Sequence, residues 1–87
     1  MTNANVQVTF ENITPAQAQS YLLKNQKNRT PRKRIIDEYA SAMRAGKWAP
    51  VGDPIRFDIN GVLMDGQHRL SAIVSYGHPV PMFVARG

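Results

Sequence analysis

The chain reads as one small α+β domain with the element order β-α-α-β-β-α-β. Three observations predict it: an alternating apolar run near the N-terminus, two Thr-Pro helix starts, and an alternating pair of runs split by Asn60-Gly61 that leads into another helical run.

Val6, Val8 and Phe10 alternate with Gln7 and Thr9, the period of a strand with its apolar residues turned to the core. Thr14 as N-cap, Pro15 at the first helical position and Gln17 closing a capping box start a helix that runs to about Lys24, with Ile13 stapled onto Ala18. Tyr21 and Leu22 or Leu23 face inward. A polar loop, Asn25 to Arg29, leads to Thr30-Pro31, which repeats the start signal. Ile35, Ile36, Tyr39, Ala40 and Met43 then recur at helical spacing, and Gly46 stops that helix. Lys33 with Asp37 and Arg34 with Glu38 are i,i+4 pairs worth about 0.2–0.5 kcal/mol each.

From Gly46 to Asp53 the chain is rich in turn residues, with Trp48 as a packing anchor. Ile55, Phe57 and Ile59 form a strand, Asn60-Gly61 a type I′ turn, and Val62-Leu63-Met64 the returning strand. Leu70, Ile73 and Val74 mark the buried face of a third helix that Gly77 ends. A last strand, Val80 to Val84, is interrupted early by Pro81. No repeat or linker divides residues 1–87, which read as a single domain.

Composition narrows the function. An 87-residue chain buries roughly 60% of its unfolded surface, so its core is small and a large active-site cleft is not expected. Without cysteine it has no disulfide, thiolate metal site or cysteine nucleophile, and with only His68 and His78 no metal centre is expected. No apolar run approaches a membrane span and Met1 to Asn5 carry no signal-peptide pattern, so the expectation is a cytoplasmic protein with no membrane partner. The formal charge is +5, and Lys24, Lys27, Arg29, Arg32, Lys33 and Arg34 share one eleven-residue window. Such a cluster suits either a solvated turn or a surface that meets phosphates.

Asp65-Gly66-Gln67-His68-Arg69-Leu70 sets polar groups at the junction of an apolar strand and an apolar helix. The glycine permits a tight turn, the first helical amides then point outward without acceptors, and Arg69 stands beside them, which describes an anion site. Gly66, Gln67, His68 and Arg69 are the expected phosphate- or nucleotide-binding residues. Asn28, Arg29, Arg32 and Lys33 are expected to approach the anion from a second side. His68 could donate to a phosphate oxygen or serve as acid or base, and Asp65 could cap the helix, hold Arg69 or His68, or bind a magnesium ion accompanying a nucleotide. These two are the candidate catalytic residues.

Gly66-Gln67-His68-Arg69 resembles the Gly-Cys-His-Arg signature of sulfiredoxin, and Gly66-x-x-Arg69-x-x-Ala72 resembles the phosphate-binding box of the ParB N-terminal domain. With Asn25-x-x-Asn28-Arg29, Tyr39-Ala40, Gly46-x-Trp48 and Pro54-Ile55-x-Phe57-Asp58, nearly the whole chain is similar to the small ParB-like proteins of bacteriophages and mobile elements. The resemblance implies a ParB/sulfiredoxin-like α+β fold in which a β-hairpin feeds a phosphate-binding helix start. It also implies a nucleoside triphosphate, with magnesium, or nucleic acid as the ligand. Some members are hydrolases, kinases or nucleases, so a small nucleotide hydrolase or nuclease is the alternative to a binding domain, and a non-enzymatic phage accessory or anti-defence protein with a protein partner is another.

Departures from the pattern limit the transfer. Gln67 replaces the sulfiredoxin cysteine, which rules out its thiol chemistry, and also the acidic residue of the ParB box, while Ser71 stands in place of a further arginine. No segment of the 87 residues is expected to supply a helix-turn-helix or a dimerisation domain. Residue patterns leave the oligomeric state open.

Overall fold

A computed structural model describes residues 6–26, 28–49 and 53–87. Lys27 of the basic window, the turn residues 50–52 and the N-terminal residues 1–5 lie outside the described residues.

Seven elements follow in the expected order: β1 (Gln7–Ile13), α1 (Pro15–Leu22), α2 (Lys33–Arg44), β2 (Ile55–Phe57), β3 (Leu63–Asp65), α3 (Gln67–Tyr76) and β4 (Val80–Arg86). The strands form one sheet ordered β1-β4-β2-β3, with β4 antiparallel to β1 and parallel to β2, and β2 antiparallel to β3. One sheet face carries the buried Ile13, Ile55, Phe57, Leu63, Val80, Met82 and Val84, and the helices pack there with α3 between α1 and α2. Ile13, Ile55, Leu63, Leu70, Ile73 and Val84 are fully buried, each contributing about 1.5–3 kcal/mol of transfer free energy.

Local signals hold at several ends. Thr14 Oγ1 accepts from Gln17 N–H at 3.1 Å, and Gln17 Oε1 accepts from Thr14 N–H at 3.0 Å, completing the capping box. Gly46 (φ 71°) and Gly77 (φ 86°) take the left-handed conformation that ends α2 and α3. The ion pairs along α2 form as expected, Lys33 to Asp37 at 2.7 Å and Arg34 to Glu38 at 3.3 Å.

Four local expectations are corrected. Val6, Val8 and Phe10 lie on the uncovered sheet face and are exposed, because β1 turns Thr9, Glu11 and Ile13 toward the helices. Period-2 alternation separates two faces without saying which is covered. α2 begins at Lys33, with Arg32 an extended N-cap lacking any side-chain cap, so Thr30-Pro31 is not its start. Contacts from α3 to Arg29 and Arg32 hold that segment extended. The β2–β3 turn is not type I′: Asn60 has no positive φ, Gly61 does (80°), and Gly61 N–H bonds Asp58 C=O at 2.9 Å. Asp58 Oδ1 accepts from Asn60 N–H and Val62 N–H, which closes a longer turn, exposes Ile59 and leaves an irregular register between Arg56 and Phe57. Finally, β4 runs unbroken through Pro81 to Arg86. β2 reaches only Val84 to Arg86, so at Pro81 the strand has β1 as its one neighbour, where a missing donor costs least.

Candidate functional site at the start of α3

Two buried residues build the strand-helix junction. Gly66 has φ 113°, and a Cβ there would run into the Ile55 side chain and lie 3.4 Å from the Ile55 Cα. Only glycine lets β3 turn into α3 this close to β2. The first backbone bond of α3 is Leu70 N–H to Gly66 C=O at 2.9 Å, and no side chain caps the helix. The amides of Gln67, His68 and Arg69 therefore have no intrahelical acceptor, and Asp65 borders this positive end of the helix dipole without capping it.

Among the described residues, Gln67 is the one buried polar residue. Its Oε1 accepts from Asn25 Nδ2 at 2.7 Å and its Nε2 donates to Arg29 C=O at 2.6 Å. Asn28 Nδ2 donates to Leu63 C=O at 2.8 Å and to Asn25 Oδ1 at 2.6 Å. This amide chain fastens the polar loop at Asn25, Asn28 and Arg29 across the end of β3 and onto α3. His68 extends it, with Nε2 accepting the Arg32 N–H at 3.0 Å. That bond fixes the neutral tautomer carrying its proton on Nδ1.

The loop so held forms one wall of a cavity of about 580 Å³, with the Gly66 turn as the other. Asn28, Arg29 and Arg32 line it, as does Asp65, its one acidic residue among the described residues. The expected second-side group thus converges, apart from Lys33, which faces a separate surface and pairs with Asp37. Arg69 goes elsewhere: its guanidinium donates to the Asp53 and Pro54 carbonyls, with Asp65 Oδ1 3.8 Å away. It lines a neighbouring cavity of about 590 Å³ with Lys47, Trp48 and Tyr39, and Asp65 and His68 border both spaces. Trp48 packs tilted on Tyr39 with ring centroids 5.2 Å apart, as the expected anchor, and its buried Nε1 has no partner among the described residues.

Of the expected phosphate ligands, Gly66, Gln67 and His68 line the cavity, whereas the side chains of Gln67, His68 and Arg69 are hydrogen-bonded within the protein. Asp65 does not cap α3, because Gly66 occupies the cap position. Asn25 and Thr30 were not expected at the site, and Thr30 lines the cavity beside Asn28. Asn25 falls in the Asn-x-x-Asn spacing of the sequence, a signal that could have found it.

At the opposite end of β2, Glu11 binds Arg86 (2.6 Å) and the Tyr21 hydroxyl (2.7 Å), and the Arg86 guanidinium lies over the Tyr21 and Phe57 rings. Burial alone would raise the Glu11 carboxyl, but hydrogen bonds from Arg86, Thr9 and Tyr21 and the Arg86 charge outweigh it and bring it down to about 2. Burial and the neighbouring Glu11 push the Tyr21 hydroxyl up. This cluster joins β1, α1 and β4.

No protein-family model, curated protein or solved structure matches the chain. Among the described residues, no helix is long and apolar enough to cross a membrane.

Proposed function

We propose that the chain is a ParB/sulfiredoxin-like phosphate-binding domain that takes a nucleotide or a nucleic-acid phosphate at the start of α3. The observation that carries this reading is the uncapped, glycine-led helix start facing Arg29 and Arg32 across a cavity of about 580 Å³. Outward amides supply directed donors and the two guanidiniums supply charge and bidentate geometry, the combination that suits a phosphate dianion. The cavity falls within the size range of small-molecule sites. Binding ranks above catalysis because His68 already spends Nε2 on the Arg32 amide, leaving only an Nδ1 proton to offer. A magnesium ion arriving with a nucleotide would meet Asp65 and complete its shell from phosphate and water.

Isothermal titration with ATP, CTP and short oligonucleotides tests this. Arg29→Ala and Arg32→Ala should each weaken binding by about tenfold or more while the circular dichroism spectrum is unchanged. An oligonucleotide ligand should also lose affinity steeply with added salt. Absence of binding to every one of these ligands sinks the proposal.

A further inference from the structure

A second cavity of about 590 Å³ adjoins the Gly66 cavity, and Asp65 and His68 border both. The two spaces differ in what lines them. Among the described residues, Arg29 and Arg32 outnumber Asp65 on the first, so it favours an anion. On the second, Lys47 and Arg69 are matched by Asp53 and Asp65, and the charge cancels. What distinguishes that space is aromatic: Tyr39 from α2 and Trp48 from the connection to β2.

Their packing fixes what these rings can offer. They sit tilted at 57° with centroids 5.2 Å apart, and both pack against the core while remaining only half-buried. Trp48 Nε1 is itself buried, so the indole meets the cavity with ring carbon and not with its donor. Arg69 adds a planar guanidinium, 17% exposed and held by the Asp53 and Pro54 carbonyls. Aromatic carbon and a fixed guanidinium plane in a charge-balanced space suit a flat, neutral heteroaromatic ring. They do not suit a second phosphate.

We infer that this cavity takes the base of a mononucleotide whose phosphates lie at the start of α3, a reading that rests on phosphate binding at Gly66. One ligand then occupies both spaces. Asp65 and the Nδ1–H of His68, shared by the two cavities, stand where the sugar joins base to phosphate, an acceptor and a donor for its hydroxyls. Each cavity has the size of a small-molecule site. Stacking engages any base, so ATP and CTP both serve as probes.

Trp48 is the one tryptophan of the chain, which makes its fluorescence a direct reporter. Titration with ATP or CTP should quench it. Inorganic tripolyphosphate, the same phosphate chain without sugar or base, should bind at least about tenfold more weakly and leave the emission unchanged. In calorimetry, Trp48→Leu should weaken ATP and CTP at least about tenfold, with tripolyphosphate affinity and the circular dichroism spectrum unchanged. Trp48→Phe, which keeps an aromatic face, should retain most of the nucleotide affinity. Arg29→Ala reports on the phosphate cavity separately, because it should weaken nucleotide and tripolyphosphate alike. Tripolyphosphate binding as tightly as the nucleotides, or Trp48→Leu weakening all three equally, would overturn the base cavity and leave phosphate binding standing. Failure of all three to bind overturns both.

Discussion

Gly66 concentrates two demands on one residue. Its left-handed φ of 113° disfavours any side chain, and the Ile55 side chain occupies the space a Cβ would need. Gly66→Ala is expected to destabilise the fold by about 2–4 kcal/mol in urea unfolding, combining backbone strain with overpacking. Gly61 has a comparable φ of 80° but nothing within 4 Å of its Cβ position, so Gly61→Ala should cost only about 1 kcal/mol. Equal losses would mean that Ile55 moves aside. The need for a glycine at residue 66 was legible in the sequence, since a strand-helix junction after Asp65 calls for one. That Gln67 next to it is buried was not, because a glutamine at a helix start carries no mark of the Asn25 and Arg29 groups that later surround it.

At the scale of elements, β1, α1 and β4 are fastened by the Glu11, Tyr21 and Arg86 cluster. Its hydrogen bonds and the Arg86 charge hold the Glu11 carboxyl down at about 2 in the fold, below the roughly 4.3 of an unfolded chain. Its stabilisation is therefore complete above the unfolded value and disappears as pH falls through the folded one. Glu11→Gln should lower the melting temperature most above about pH 5, and the gap to the unmodified protein should close by about pH 2. A gap independent of pH would show that the carboxylate charge contributes nothing. The cluster joins residues 75 apart in sequence, and no local pattern announced it. Helix ends behaved differently. The Thr14 box and the terminal Gly77 are chemistry within a few residues and could be read directly. The same Thr-Pro signal at Thr30 failed because bonds from Gln67 to Arg29 and from His68 to Arg32 hold that segment extended.

Across the whole molecule, the cavity at Gly66 and the β1 edge sit at opposite sides of one sheet. Distant sites without shared partners act additively, so if the proposed phosphate site binds a nucleotide, Val8→Lys should leave that affinity within about twofold. A larger change in the titration would reveal coupling through β4 and β2. By itself the sequence determined the element order, the helix caps at Thr14 and Gly77, the concentration of positive charge and the glycine turn before α3, because each depends on neighbours within about one turn or one strand. Only the tertiary structure decided which face of β1 is covered, which edge has no further strand among the described residues, and that Arg29 and Arg32, not Arg69, line the Gly66 cavity. Those outcomes depend on which surfaces meet across the sheet, and alternation or spacing along a chain is the same whichever side is buried.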